Sequence, residues 1–264
     1  MRAGEVGPWL ADLARNNSFI FTELVKRDFK KKYKRTVLGM FWSVLSPLFM
    51  LCVLALVFGH FFGRSIPHFI IYLFSGQIIF NYYTEATNEG MNALTANAGI
   101  FTKINVPKYL FLFSKNVAAL INFGIIFLIY LGAVWLEGIP FTWKFLCLIY
   151  PSLCLIFINL GIGFILSALF IFFRDIAYIY RIFTQMVMYC SAIFYDIAIV
   201  PERYQPIFYA NPIFVCINYF RSIVIYHTIP PLWEHAILAL YAAALFAFGC
   251  WMYKHYNYKF LYYL

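Results

Sequence analysis

Few side chains in this 264-residue chain stand where they could do chemistry. Arg174-Asp175 sets a cation beside an anion between two apolar stretches. Glu85 and Glu89, spaced i and i+4, share one helix face; they could gate an entrance or receive basic partners, and a solvated helix end is the plainer reading. Arg221 lies inside an apolar stretch, where a guanidinium costs about 3 kcal/mol or more unless it is paired or wet. Asp196 and Glu202 are its acidic candidates. His60, His68, His227 and His235 are scattered without HExxH spacing, and the 6 cysteines form no CxxC pair. That pattern supports neither a metal site nor a catalytic cluster, and the cysteines read as small apolar packing residues. No GxxxxGK[ST] run exists to wrap a nucleotide's phosphates.

The elements that must position these residues are membrane helices. A composition 64% hydrophobic and only 12% charged carries more apolar surface than a soluble fold of this length could bury. A spanning helix needs about 20 mostly apolar residues. Segments 37–62, 66–86, 109–136, 145–172, 182–200 and 234–253 supply six. Under this reading only Arg64, Lys144, Arg203 and Arg221 of the 20 Lys and Arg fall outside, so the +9 net charge is a topological signal with both termini cytoplasmic. Nucleic acid is not an expected partner, since no soluble basic face is left to present. The first apolar run is too long, and lacks a small-residue exit, for a cleavable signal.

The predicted organisation is an all-α integral membrane protein in three parts: a cytoplasmic N-terminal segment (1–36), a six-span transmembrane domain (37–253) and a cytoplasmic tail (254–264). Within the first part Phe21, Leu24, Val25, Phe29 and Tyr33 recur at helical spacing opposite Lys26, Arg27, Lys30, Lys31 and Lys34, which predicts an amphipathic helix in the inner interface among membrane lipids. The connection 86–107 is predicted to hold a short polar helix over 88–98, which must rest on headgroups or dock on a partner. Stretch 196–233 is too apolar for a solvated loop and too broken by Pro201, Pro206, Pro212, Pro230 and Pro231 for a span. Re-entrant outer helices between spans five and six fit it; a seventh span over 207–226 is the rival, and would put Lys254 and Lys259 outside.

The run Thr36-Val37-Leu38-Gly39, followed by Trp42, Leu45, Pro47 and Leu48, resembles the start of the first span in ABC-2-type permeases that export lipid-linked polysaccharides and polyol phosphates. Lys103-Ile104-Asn105-Val106-Pro107-Lys108 is similar to that family's lead-in to span three, and Phe173-Arg174-Asp175-Ile176 to its inner turn between spans four and five. Val200-Pro201-Glu202-Arg203-Tyr204, then Asn211-Pro212 and Phe220-Arg221, resembles its outer loop. Ser191-Ala192-Ile193-Phe194-Tyr195 departs from it, for the family often has Ser-Pro there, and the local kink is in question.

The resemblance implies a half-transporter of the bacterial cytoplasmic membrane, working as a homodimer with two cytoplasmic ATP-binding subunits. ATP and Mg would be bound by those subunits, with no cofactor in this chain. The polar helix with Asn88, Asn92 and Asn97 would be the coupling element, with Arg174 and Asp175 near the same interface; Phe21, Val25, Phe29 and Lys30 would form the interface helix, and Glu202, Arg203 and Arg221 would belong to the outer loop. The substrate implied is an undecaprenyl-linked glycan, as in O-antigen, capsule or teichoic acid export. Aromatic faces suit sugars, and Trp42, Phe49, Tyr72, Tyr82, Tyr83, Tyr189, Phe194 and Tyr195 fall on the family's pathway spans. A drug or lipid exporter of the same architecture is the nearest alternative. A membrane-embedded acyl- or glycosyltransferase is another, though it would need acids or histidines clustered at one membrane face.

Overall fold

The computed structural model describes residues 6–33, 38–62, 66–101 and 106–263. Arg2, Lys34, Arg35, Arg64, the Thr36-Val37 part of the first motif and the Lys103-Ile104-Asn105 part of the second lie outside the described residues. Every regular element among those described is a helix. In chain order they are α1 (Val6–Tyr33), α2 (Trp42–Phe62), α3 (Phe69–Asn92), α4 (Ala98–Phe101), α5 (Tyr109–Leu136), α6 (Ile149–Phe172), α7 (Ile176–Tyr189), α8 (Gln205–Phe208), α9 (Pro212–Val224), α10 (Leu232–Tyr256) and α11 (Phe260–Tyr263).

Helices α2, α5 and α10, and α6 extended by its 3₁₀ lead-in to Trp143–Phe172, are long and apolar enough to cross a membrane. The segment Glu202–Phe208 and α9 make a fifth only if a pair bent by 105° counts as one span. The expected second and fifth spans take other forms. Helix α3 is 24 residues long, but Thr84, Glu85, Asn88, Glu89 and Asn92 make its last turns polar. Its apolar part runs through the middle of the bundle, buried from Ile71 to Phe80 and packed on α2, α5, α6 and α9, while Asn88, Glu89 and Asn92 of the polar turns are exposed towards its end.

Helix α7 starts at Ile176 and stops at Tyr189, against the expected 182–200. Its 14 residues reach about 21 Å, short of the roughly 30 Å of a bilayer core. The stop has local causes. Ser191 Oγ donates back to the Val187 carbonyl at 2.6 Å, Asn211 Nδ2 donates to the Cys190 carbonyl at 3.2 Å, and Ala192 takes the left-handed conformation at φ +47°. The chain therefore turns here without the proline that the resemblance leads one to expect.

The polar stretch 88–98 is not a helix of its own. Its first part is the end of α3, followed by a 3₁₀ turn at Thr95–Asn97 and then α4. Ala93, Leu94 and Asn97 are buried, with Ala93 and Leu94 in one apolar cluster with Leu24 of α1, so the stretch docks on its own chain.

Contacts sort the bundle into two ends. At one, Arg27 bonds Asn97, Lys108 Nζ donates to the Asn257 carbonyl at 3.0 Å, and Phe172 packs on Tyr256. At the other, His68 meets Glu137 at 3.3 Å, Lys144 Nζ donates to the His227 carbonyl at 2.6 Å, and Tyr150 Oη to the His235 carbonyl at 2.7 Å. Glycines bring the central helices close: a Cβ on Gly161 of α6 would sit 2.5 Å from the Leu245 carbonyl of α10, and one on Gly90 of α3 would sit 3.0 Å from Gly163 Cα.

Candidate functional site

Helix α1 seats an acid where the expected apolar stripe has none. Leu24 and Asp28 face inward one turn apart, and Asp28 is only 7% exposed. Buried charge needs partners, and Asp28 finds three: Arg27 through Nη2 at 2.7 Å and Nε at 3.1 Å, Ser114 Oγ at 3.1 Å and Lys115 Nζ at 3.7 Å. Lys115 also reaches Glu89 of α3 at 2.7 Å, Asn122 donates to Glu85 at 2.9 Å, and Arg27 donates to Asn97 at 2.7 Å. The basic partner of Glu89 is thus Lys115 of α5, and not a lysine of the interface helix. Asp28, Phe29, Lys31, Glu85, Glu89, Asn92 and Lys115 line a cavity of about 390 Å³ between α1, α3 and α5. Burial also lowers the Lys108 ammonium from its usual value at the same end of the bundle.

A second groove, about 570 Å³, runs between α3 and α7, lined by Phe80, Asn88, Met91, Tyr178, Arg181, Thr184, Gln185 and Met188 among others. Tyr178, Arg181 and Gln185 lie at i, i+3 and i+7, so they form one polar stripe along α7. All three are exposed. Thr184 Oγ1 returns to the Tyr180 carbonyl at 2.8 Å and Asn88 Nδ2 to the Thr84 carbonyl at 2.7 Å, which leaves the carbonyl oxygen of the Asn88 amide turned to the groove. Met91 and Phe80 are buried and form its apolar back wall.

Arg221, in the last turns of α9, is 3% exposed. The expected partners do not pair with it: Asp196 Oδ1 caps the following 3₁₀ turn by accepting from Ala198 N at 3.0 Å, and Glu202 and Arg203 are exposed. Instead the guanidinium donates to the Ala192, Ile193 and Tyr72 carbonyls at 2.9, 3.1 and 3.2 Å and lies 3.4 Å over the Tyr72 ring. Two of these carbonyls, Ala192 and Ile193, follow the end of α7 and the third belongs to α3, and a five-donor fork can serve all three. Helix α9 is itself set by Pro212 at its first position and by Asn211 Oδ1, which accepts from Ile213 N at 3.0 Å.

The expected pathway aromatics divide. Tyr72, Tyr82 and Tyr83 are buried in the protomer, with Tyr72 Oη bonded to the Tyr195 carbonyl at 2.7 Å and Tyr82 Oη to Asn116 at 3.1 Å. Their rings cannot reach a path outside this protomer without repacking. Trp42, Phe49 and Tyr189 are exposed; Phe194 is half-buried and stacks on Phe58 at 5.4 Å, and Tyr195 is half-buried with its hydroxyl on the Tyr189 carbonyl. Of the coupling residues, Asn92, Arg174 and Asp175 are exposed, Arg174 resting 5.0 Å from the Phe170 ring, whereas Asn97 is buried on Arg27 and Asn88 belongs to the groove. Of the interface-helix residues, Phe21, Val25 and Phe29 are half-buried and Lys30 is exposed. Among the described residues no group of three or more His, Cys, Asp or Glu is placed to hold a metal ion. Asp28 and the groove-facing Gln185 escape a sequence reading; the i+3 and i+7 spacing of Tyr178, Arg181 and Gln185 was the signal available for the second.

The architecture is a bundle with several helices long and apolar enough to cross a membrane, α1 ion-paired to one end, a polar cleft along the short α7 and a buried α9. Residues 20–225 match the ABC-2 type transporter family, and the chain belongs to it. Among its relatives, the O-antigen export system permease protein RfbA of Klebsiella pneumoniae is 25% identical over 211 residues, covering 75% of this chain and 78% of that protein. The polysialic acid transport protein KpsM of Escherichia coli is 24% identical over 204 residues, with 76% and 79% covered. An RfbA protein of Myxococcus xanthus is 24% identical over 215 residues, with 80% and 82% covered.

Proposed function

We propose that this chain is the permease subunit of an ATP-driven exporter that moves a lipid-linked polysaccharide or polyol phosphate polymer across the bacterial cytoplasmic membrane. The observation that carries the reading is the exposed polar stripe Tyr178, Arg181 and Gln185 along α7, a helix whose other exposed residues are apolar or aromatic. Such groups cannot face lipid tails cheaply, so they face a wet path. The export systems named by its relatives supply the class of cargo.

Two copies would form the path, with α7 and the exposed aromatics Trp42, Phe49 and Tyr189 on its walls, and two cytoplasmic ATP-binding subunits would drive it, holding ATP and Mg themselves. Six crossings, by α2, α3, α5, α6, α10 and a fifth made by the short α7 with the chain that follows it, would keep α3 running from the His68 end to the Asn97 end and Asn257 meeting Lys108. Segments 1–36, 37–253 and 254–264 would then be interface segment, transmembrane domain and tail, with both termini in the cytoplasm. Helix α9 would be a re-entrant helix held by Arg221. Arg174, Asp175 and Asn92, exposed at the inner end, are the coupling contacts.

Purifying the chain from its native membrane tests the assembly: an ATP-binding subunit comes with it. Cells lacking the chain should accumulate undecaprenyl-linked polymer inside, and normal surface polymer in such cells would contradict the reading.

A further inference from the structure

The α3–α7 groove holds hydrogen-bonding groups that the fold leaves unused. Among the described residues Arg181 makes no ion pair, and neither Gln185 nor Tyr178 bonds to another side chain. Arg181 stands five residues beyond the start of α7, about 7.5 Å along the axis and thus near headgroup depth. The groove pairs this cation and the Asn88 and Gln185 amides with apolar Phe80, Met91 and Met188. Its contents match an amphiphile with an anionic head. A planar, unpaired guanidinium suits phosphate oxygens bidentately, and amides suit the donor and acceptor pattern of sugar hydroxyls. A phosphatidylglycerol head offers the guanidinium one phosphate and the amides only two glycerol hydroxyls. A sugar-bearing diphosphate uses all three.

We propose that this groove is the headgroup site for the transported substrate: Arg181 binds the diphosphate of an isoprenoid-linked glycan, and Asn88 and Gln185 bind its nearest sugars. The proposal rests on the export reading above and locates the cargo's recognition within it.

The test is a titration of the full chain in lipid nanodiscs with a synthetic polyprenyl diphosphate disaccharide, against excess phosphatidylglycerol. The wild type is expected to bind the probe without displacement by phosphatidylglycerol, and R181A to weaken it about tenfold or more. R181K restores part of the affinity, since an ammonium keeps the charge and loses the fork. N88A and Q185A weaken the disaccharide probe while a bare polyprenyl diphosphate binds as before. Arg181 is exposed and makes no hydrogen bond or ion pair among the described residues, so its variants are expected to melt close to the wild type. Unchanged probe binding by R181A overturns the site and leaves the export reading intact. Equal competition by phosphatidylglycerol, lost in R181A, overturns it in favour of a phospholipid site. A wild type that binds neither diphosphate probe, in cells whose surface polymer is normal without the chain, removes both.

Discussion

Asp28 and Glu89 both pair with Lys115, yet they are not worth the same. The Glu89 side chain is 52% exposed and water screens its pair, while that of Asp28 is 2% exposed and has three polar neighbours committed to it. Asp28→Ala should therefore lower stability by about 3 kcal/mol, and Glu89→Gln by less than about 1 kcal/mol, in thermal melts of the purified protein. Equal shifts for the two would mean that α1 is not held by this network. Arg221 has a comparable burden: Arg221→Met would take the donor from the Ile193 carbonyl and one donor each from the Ala192 and Tyr72 carbonyls, at a cost of about 2 to 3 kcal/mol. Arg221→Lys should recover only part of that, and protease nicking between 190 and 211 should rise in both; an unperturbed melt for Arg221→Met would contradict the clamp.

At the scale of elements, α6 and α10 approach so closely that the Gly161 position tolerates no Cβ. Gly161→Ala should cost about 1 to 3 kcal/mol, whereas Gly124→Ala, which meets nothing within 4 Å, should be neutral. The elements that sequence made legible are those whose outer face meets lipid. Helices α2, α5, α6 and α10 announce themselves by length and apolarity. The exceptions have physical causes: α3 buries its apolar part in the bundle and ends in polar turns whose Asn88, Glu89 and Asn92 are exposed, and α7 is cut short by hydrogen bonds from Ser191 and Asn211, which no local pattern displays. Pro212, read as a break in the apolar stretch, is the first residue of α9, with Asn211 as its cap. In the site, Arg221 was legible as an anomaly but its partners were not, because they are backbone carbonyls supplied by a turn 28 and 29 residues earlier in the chain and by Tyr72.

For the whole molecule, the two ends of the bundle fix a parity. Arg27, Asn97, Lys108 and Asn257 gather at one end, so the end of α1 and the end of α10 lie on the same side. The proposed cytoplasmic placement of that side rests on the charge of Lys26, Lys30, Lys31, Lys254 and Lys259. A reporter fused after Leu264 should be active only inside the cell. Surface activity would reverse the topology and, with it, the side from which an ATP-binding subunit could act.

The most direct test joins these scales in one vesicle. Chain and ATP-binding partner are reconstituted together with a fluorescent lipid-linked oligosaccharide, and the label is quenched from outside by an impermeant reagent. Among the complexes oriented with their ATP-binding subunits outward, added ATP should carry label into the protected lumen, and a partner unable to hydrolyse ATP should carry none. Label that moves equally with and without hydrolysis, or fails to move with an active partner, would contradict the account.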